Sequence, residues 1–451
     1  MTRTIREEAR DLPVVAEVDV LVVGGGPAGV GAALAAARLG ARTLVVEQFN
    51  CLGGIATAGG HGHLCLFTSW GTDERVVGGI AWEIVERVVA AGFGVYCRGN
   101  ADFEIEGLKL ILEQMAREAG VALLYYTQAA DAIVCDGRVA GAVIQNKSGR
   151  AAVLARQTID ASGDADVAAR AGAPFQKGRP EDGRLQPMTL MFQIGGVDYE
   201  RVRAFRGDDW QLRDVWLKAR QAGDLGPFQD QIMGWWWTPT RPDQLGINFT
   251  HIIGVDATSA EDLTRATIEG RRQAFQALAV YRRYVPGMEE AYLLSTPCTV
   301  GARESRRMVA DLVLAREDLL AQRAWPDSIG YGSFFIDIHN PDGPGMSPKT
   351  WRPPKGFKYQ VPYRILVPRR VEDLLVAGRC VSATHEALGS LRVMPQCALM
   401  GEAAGVAAVQ AIADGATPRT VRVEAVQAQL RRQGAILDAA DVARAAGPRP
   451  S

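Results

Sequence analysis

The feature that most constrains the fold is a short apolar strand that runs directly into a glycine-rich turn. Residues 18–23 are Val-Asp-Val-Leu-Val-Val, and residues 24–29 follow as Gly-Gly-Gly-Pro-Ala-Gly. A short β-branched run bounded by glycine favours a buried parallel strand. Residues 30–39 are rich in Ala and Leu and predict a helix that stops at Gly40. This strand–turn–helix order is typical of a dinucleotide-binding fold.

Each glycine of the turn has its own mechanical role. Gly24 permits the tight turn, Gly26 lets the backbone approach a pyrophosphate, and Gly29 lets helix and strand pack closely. The helix N-terminus offers free N–H groups and a partial positive charge to the phosphates. A second predicted strand, residues 43–46, ends in Glu47, where a carboxylate can accept hydrogen bonds from ribose hydroxyls. The motif alone does not distinguish NAD from FAD.

Later segments extend this pattern through most of the chain. Residues 160–164 close a strand, residues 374–379 form another apolar strand that ends in Gly-Arg, and residues 401–405 lie on an Ala-rich helix. With the first turn, these segments resemble the glutathione-reductase-like FAD superfamily. The nearest resemblance is to its FAD-dependent oxidoreductase branch, which is similar to the fumarate reductase and succinate dehydrogenase flavoproteins. Further motifs that resemble this branch are residues 51–57, 301–307, 337–339 and 383–386.

The resemblance implies a non-covalently bound FAD. Residues 51–57 would lie beside the isoalloxazine ring, and the helix that starts near Met394 would point its N-terminus at the pyrimidine edge of that ring. A helix N-terminus stabilises negative charge by about 0.3–1 kcal/mol at exposed sites; an ordinary helix start at Pro395 is the alternative. The implied cofactor contacts are Gly24, Gly26, Pro27, Ala28, Gly29, Glu47, Gly53, Gly54, Ala56, Thr57, Ser162, Gly163, Asp164, Gly378, Arg379, Arg392, Val393 and Gln396.

The predicted fold class is α/β, with a Rossmann-like FAD-binding domain and an inserted α+β substrate domain. The resemblance implies that residues 14–170 form the first part of the FAD domain and residues 350–420 complete it. The substrate or cap domain would span residues 171–349, and residues 421–451 would form a C-terminal helix and a frayed tail. The predicted local elements are strands at 121–126, 132–135, 139–146 and 187–197, a hairpin turn at 136–137 and a helix at 261–284.

Four of the five histidines are candidates for the chemistry. His61 and His63 follow the loop of residues 51–57 and would share one face of a strand, but no third ligand is evident, so no metal is predicted. His61 is either a proton carrier at the flavin or a plain polar loop residue. His339 and His385 lie in motifs shared with the family. Both are candidate catalytic residues, and a buried histidine with backbone partners is the alternative for each.

Other side chains could shape a substrate site. Arg303, Arg306 and Arg307 are spaced to share one face of a helix, so Arg303 is a candidate anchor for a carboxylate, against a structural ion-pair lattice. Three consecutive tryptophans, residues 235–237, would either wall a planar substrate or pack against the FAD domain. Cys51 could hold a flavin covalently, although apolar packing is the commoner role of a free cysteine.

Composition limits the partners. Lys plus Arg (50) nearly balances Asp plus Glu (51), which argues against nucleic acid as a partner. The seven cysteines contain no C-x-x-C pair, and no stretch reaches the roughly 18 apolar residues of a membrane span, so we expect a cytoplasmic protein. A homo-oligomer remains open, as does the identity of the electron acceptor.

The function predicted from these features is that of a flavin-dependent oxidoreductase acting on a small organic molecule. A dehydrogenase or oxidase that passes hydride from a substrate C–H bond to the flavin is the first hypothesis. A reductase of an activated alkene, with arginines on a carboxylate, is the second. An isomerase or cyclase that uses flavin without net redox change is the third.

Overall fold

The computed structural model describes residues 4–445, and a seven-stranded sheet lies at the centre of this part of the chain. The strands, in chain order, are β1 (Val14–Val23), β2 (Thr43–Val46), β3 (His63–Leu64), β4 (Gly94–Cys97), β5 (Asn100–Phe103), β6 (Ala122–Leu124), β7 (Gln128–Cys135), β8 (Arg138–Asn146), β9 (Gly149–Asp160), β10 (Phe175–Lys177), β11 (Phe192–Gly195), β12 (Gly234–Thr238), β13 (Arg241–Asn248), β14 (Tyr292–Ser295), β15 (Arg306–Met308), β16 (Ser328–Gly332), β17 (Tyr359–Pro362) and β18 (Leu374–Val376). The α-helices are α1 (Pro27–Arg38), α2 (Gly79–Ala90), α3 (Ile105–Glu118), α4 (Asp166–Arg170), α5 (Tyr199–Arg206), α6 (Arg213–Gln221), α7 (Ala260–Tyr284), α8 (Arg316–Leu320), α9 (His385–Leu391), α10 (Met394–Asp414), α11 (Val423–Arg432) and α12 (Ala439–Arg444).

The central sheet has the order β6-β2-β1-β9-β8-β7, and β18 also pairs with β9. The β2–β6, β1–β2, β1–β9 and β9–β18 pairs are parallel, whereas β7–β8 and β8–β9 are antiparallel. Parallel strands covered on both faces need continuous apolar runs, and every residue of β2 and β18 is buried. The predicted α/β fold with a Rossmann-like nucleotide-binding core is confirmed.

Several local predictions agree with these bounds, and others need correction. The turn at Asp136 and Gly137 has positive φ at both residues (50° and 75°), as a two-residue hairpin of type I′ requires. The strand predicted at 187–197 is shorter, because only β11 pairs as a ladder there. The predicted frayed tail is in part a helix: Asp438 caps α12 by accepting a hydrogen bond from the N–H of Asp441 at 3.0 Å. Residues 446–451 lie outside the described residues.

Helices α1 and α10 pack against each other through glycine. A Cβ at Gly401 would lie 1.8 Å from the carbonyl oxygen of Ala28, and one at Gly405 would lie 2.3 Å from that of Ala32. Only glycine therefore lets the two backbones come this close. Helix α10 is long and apolar enough to cross a membrane, but 78% of its apolar window is buried inside the protein, which is the position of a core helix.

A second sheet carries its own hydrophobic core. Strands β12-β13-β11-β14 form it, and α7 packs beside it around the buried rings of Trp216, Phe249 and Tyr281. Strand β16 lies within the segment predicted as the inserted domain, yet it pairs with β17 and contributes Ile329 to the first core, which is the one around the central sheet. We therefore propose that the inserted unit ends well before residue 349. The strands that return to the first core are as apolar as those of the second core. The sequence therefore does not show where the inserted unit ends.

Glu402 is a buried carboxyl group in the middle of α10, and it meets the start of α2. It is 1% exposed, and its Oε2 accepts a hydrogen bond from the N–H of Ile80, in the first turn of α2, at 2.9 Å. Its Oε1 has no partner among the described residues. Burial raises the pKa of Glu402 to about 8.

This raised pKa should make stability depend on pH. The folded-state pKa lies above the ordinary value of 4.5, so the contribution is full below pH 4.5 and is lost as the pH rises through 8. We expect the free energy of unfolding of the parent to fall, relative to Glu402→Gln, by about 3–5 kcal/mol between pH 4.5 and 9. Urea unfolding at several pH values measures this difference. Glu290→Gln, at an exposed position, is the control; parallel pH profiles for the parent and Glu402→Gln would contradict the prediction.

Candidate active site

A cavity of about 1110 Å³ opens where parallel strands of the central sheet end. Val23, Val46, Ala161 and Ala377 line it at, or just after, the carboxyl ends of β1, β2, β9 and β18. Ligands of open α/β sheets bind at this edge. Typical small-molecule sites measure about 300–1,000 Å³, so this cavity has room for a large cofactor together with a substrate.

The glycine-rich turn forms one wall of the cavity, and its glycines are needed for different reasons. A Cβ at Gly24, where φ is +96°, would lie 2.6 Å from the carbonyl oxygen of Ala161, and one at Gly29 would lie 1.8 Å from that of Gly24. Gly26 is different, because its nearest neighbour would be the Cα of Gly54 at 3.9 Å. Gly26, Pro27 and Ala28 line the cavity. The protein itself leaves the space at Gly26 open, and this fits the close approach of a diphosphate.

Glu47 joins the turn to the second strand. It is 4% exposed, and its carboxylate accepts hydrogen bonds from the N–H groups of Gly25 (2.6 Å) and Phe49 (2.8 Å). Burial raises the pKa of Glu47. The side chain also lines the cavity, so its contact with a ribose stays a prediction.

A buried aspartate shapes the second predicted loop. Asp160 accepts hydrogen bonds from the N–H and hydroxyl of Ser162 and from the N–H groups of Val167 and Ala168, at 2.6–3.1 Å. This holds Ser162, Gly163 and Asp164 against the cavity. Arg379 then donates to Asp164 at 2.8 Å and brings the segment after β18, with Gly378, to the same wall.

The N-terminus of α10 meets the cavity on another side. Val393 is the N-cap, with extended backbone and no side-chain cap, and Val393, Met394 and Cys397 line the cavity. Unpaired N–H groups and the helix dipole therefore face the space. Arg392 donates to Asp337 at 2.9 Å, and its Nε is buried without a partner among the described residues. These donors suit an electron-rich ring edge.

Some predicted cofactor contacts lie behind the cavity wall. The loop after Cys51 turns through Gly53 (φ +103°) into a 3-10 turn, so Gly54 and Ile55 face the cavity. Cys51 is 2% exposed, its thiol donates a hydrogen bond to the hydroxyl of Thr57 at 3.6 Å, and burial raises the pKa of that thiol. Its packing role is favoured over flavin attachment. The residues that support the wall without lining it are Gly29, Gly53, Ala56, Thr57 and Gln396.

His61 lines the same cavity as the glycine-rich turn. Its ring packs edge-on against Trp236 at 4.7 Å, and the described part of the chain offers its nitrogens no hydrogen-bond partner. Burial, followed by the charges of His63, Arg303 and Arg392, lowers the pKa of His61 to about 3. The imidazole is therefore neutral at physiological pH.

His63 has the opposite character. Its Nδ1 lies 2.5 Å from the carboxylate of Asp102. Burial lowers the pKa of His63, but its hydrogen bonds with Asp102 and Cys65 outweigh burial and raise it to about 10. His63 is thus a charged, paired group beside the neutral His61.

Trp236 reaches both histidines from the inserted sheet. It is 4% exposed, and the glycines at 62 and 246 make room for its indole, because a Cβ at either would lie within 2.7 Å of the ring. Trp235 and Trp236 line the cavity, whereas Trp237 packs on Tyr199 at 4.3 Å. Trp236 thus packs against the segment predicted as the FAD domain, whereas Trp237 packs within the inserted unit. The walling of a planar substrate by these rings stays a prediction.

Asp337 and His339 are neighbours on the cavity wall. Asp337 is charged, whereas His339 is neutral. Burial raises the pKa of Asp337, but the hydrogen bond with His339 and the charges of Arg392 and Arg303 outweigh burial and hold that pKa well below its usual range. Burial and the charge of Arg303 lower the pKa of His339 to about 3. His339 Nε2 lies 3.5 Å from Asp337, and its Nδ1 is buried without a partner among the described residues.

His385 is placed outside the cavity, which corrects the expectation that it faces the flavin. Its side chain is 1% exposed, and Nδ1 lies 2.9 Å from a carboxylate oxygen of Glu304. Arg307 pairs with the same oxygen and also donates to the carbonyls of Ala383 and Gly178. The cluster of Glu304, Arg307 and His385 is a buried structural lattice at the first turn of α9.

The three arginines do not share a helix face. Arg306 and Arg307 lie on β15, where successive side chains point in opposite directions. Arg306 donates to Asp166, and Arg307 enters the lattice with Glu304. Arg303 precedes the strand and alone of the three lines the cavity.

Sequence reasoning missed the residues that hold the key side chains. Thr189 and Asn248 bind Arg303, and Asp102 binds His63. Each is distant in sequence from its partner and belongs to no motif, so only three-dimensional packing reveals it.

Most of the chain matches a known protein family. Residues 19–430 match the family described as FAD dependent oxidoreductase, which is most of the chain. The finer likeness to glutathione reductase or fumarate reductase flavoproteins is not established by this match.

Individual relatives are more distant. The chain is 32% identical over 185 residues to a thiamine thiazole synthase from Aeropyrum pernix; the match covers 38% of this chain and 63%, less than two thirds, of that relative. A geranylgeranyl bacteriochlorophyll reductase-like protein from Thermoplasma acidophilum is 15% identical, with a TM-score of 0.47 and coverage of 93% of this chain and 82% of that one. A p-nitrophenol 4-monooxygenase from Pseudomonas putida DLL-E4 is 11% identical, with a TM-score of 0.45 and coverage of 93% and 85%.

Proposed function

The chain belongs to the FAD-dependent oxidoreductase family, and we propose that it oxidises a small organic substrate by hydride transfer from a substrate C–H bond. The cofactor is FAD, and the cradle at Gly26, Glu47, Asp164 and the N-terminus of α10 fits it. When bound, FAD supplies a two-electron acceptor. One observation carries the proposal: the cradle opens, within one cavity, onto a wall of neutral histidines and aromatic rings.

The chain's own residues would then position the substrate and take its proton. Trp235 and Trp236 offer flat apolar surface for a small molecule. His61 is neutral, lines the cavity and has no protein hydrogen-bond partner among the described residues, so its ring is available to accept a proton. His339 is the second candidate, although its ring is already close to Asp337.

We also propose a cellular compartment for the protein and a relationship to other flavoproteins. We place the protein in a reducing cytoplasm, since all seven cysteines are free in the structure. We also propose, from the motifs at 51–57, 301–307 and 383–386, a relationship to the fumarate reductase-like flavoproteins.

An anaerobic screen tests the function. Purified holoprotein is mixed with a library of alcohols, amines and acids without oxygen, and flavin absorbance is followed. We expect at least one compound to bleach the flavin, because oxidation leaves two electrons on it. Reoxidation of prereduced protein by activated alkenes, with no bleaching by any donor, would replace the proposal with the alkene reductase. Conversion of a compound without change in flavin oxidation state would replace it with the isomerase or cyclase.

A further inference from the structure

We propose that Arg303 binds the carboxylate of the substrate, so that the substrate is a small organic monoanion with an apolar body. The inference rests on the proposed function, because it concerns the same cavity. It names the substrate class that the cavity would accept.

Arg303 is a buried cation that the protein leaves partly unsatisfied. It is 6% exposed and lines the cavity. One guanidinium nitrogen donates to the carbonyl of Pro187 (2.8 Å) and the hydroxyl of Thr189 (2.7 Å), and the other donates to Asn248 at 3.3 Å. These bonds use three of the five N–H donors of an arginine. All three acceptors are neutral, and no ion pair with Arg303 occurs in residues 4–445.

The surrounding charges compensate for the charge of Arg303 only in part, since the single carboxylate of Asp337 attracts two arginines. Its neighbour Arg392 is paired with Asp337 at 2.9 Å, so that carboxylate is already engaged. His61 and His339 are neutral at physiological pH, and His63 is paired with Asp102. This end of the cavity therefore carries one net positive charge. A buried charge without a counter-ion is costly, and a ligand anion would remove that cost.

The charge balance selects the kind of anion. One surplus positive charge neutralises a monoanion, whereas a phosphate dianion would leave a negative charge in the cavity. The guanidinium is planar, and its two free donors match the geometry of a carboxylate. A carboxylate is therefore favoured over a phosphate.

Apolar side chains lie beside the residues that accept hydrogen bonds from Arg303. Asn248, which accepts from Arg303, pairs across the sheet with Gly234, and Met233 and Trp235 flank that glycine and line the cavity. Met191 lines the cavity two residues after Thr189. A ligand held on Arg303 would thus lay an apolar body against thioether and indole surfaces.

Two matched ligand pairs test the inference without turnover. Holoprotein is titrated with benzoate against benzamide and with butyrate against butyramide, using flavin difference spectra and calorimetry. We expect at least one acid to bind about tenfold or more tightly than its amide. In Arg303→Gln, binding of that acid should weaken by about 10–100-fold, while amide binding changes less than threefold. Arg352→Gln, which removes a charge at an exposed part of the cavity wall, should leave the preference intact.

Each outcome decides the inference. Equal binding of acid and amide in both pairs, or no binding of either acid, would overturn it, as would an acid preference that survives Arg303→Gln. If Arg303→Gln fails to retain FAD, the acid-against-amide comparison on the parent and on Arg303→Lys decides instead. The proposed function fails separately, when no compound of any charge bleaches the flavin.

Discussion

The Gly26→Ala protein should fold as the parent does and bind FAD about 100-fold more weakly. Gly26 has φ −67° and ψ −175°, a conformation that alanine adopts without strain, and its Cβ would meet no protein atom nearer than 3.9 Å. The new methyl group would instead occupy the space that the cradle leaves for the diphosphate. A 100-fold loss corresponds to about 2.7 kcal/mol of binding free energy. Fluorescence titration of apoprotein with FAD measures the affinity, and the melting temperature of the apoprotein reports the fold.

A matched glycine separates ligand contact from a general effect of added side chains. Gly343→Ala also adds a methyl group at ordinary contact distance, 3.4 Å from Asn340, but Gly343 does not line the cavity. It should bind FAD as the parent does. An affinity within threefold of the parent for Gly26→Ala would show that the diphosphate lies elsewhere.

The His61→Asn protein should reduce its flavin about 10–100-fold more slowly than the parent, with FAD content unchanged, because a base with so low a pKa is less effective than one matched to the working pH. Asparagine keeps hydrogen-bonding capacity but cannot carry a proton. Burial and the neighbouring charges lower the pKa of His61 to about 3, so its base form is present across the whole range from pH 5 to 8. Protonation of His61 should therefore not slow flavin reduction by the parent as the pH falls to 5. Anaerobic stopped-flow mixing, once a substrate is identified, measures both quantities.

His385→Asn supplies the contrast. Its side chain lies in the lattice with Glu304 and Arg307, away from the cavity, so the substitution should lower thermal stability and leave the reduction rate within threefold. If His385→Asn slowed reduction and His61→Asn did not, the assignment of roles from cavity geometry would be wrong. If His339→Asn slowed flavin reduction and His61→Asn did not, His339 would be the proton acceptor.

The nucleotide-binding part could be predicted because its determinants are local. Gly24, Gly26 and Gly29 act within one turn, and the strands and helix beside them follow from short apolar runs. Long helices with clear caps were equally accessible, as Ser259 shows by accepting from Asp262 at the start of α7. The return of β16 to the first core was not predictable, because apolar strands of either core look alike in sequence.

The chain's sequence alone determined the α/β fold and the dinucleotide turn, since glycine spacing and strand–helix order act over short distances. The choice of FAD over NAD came from the resemblance of the later segments to the family. Tertiary structure alone decided which polar groups face the cavity. His385 and Arg307 have the same side-chain types as His61 and Arg303. His385 and Arg307 are buried against Glu304, whereas His61 and Arg303 line the cavity and can contact a ligand. That difference arises from contacts among segments far apart in the chain, such as Thr189 and Asn248 on Arg303, which impose burial and charge neighbours that no local pattern encodes.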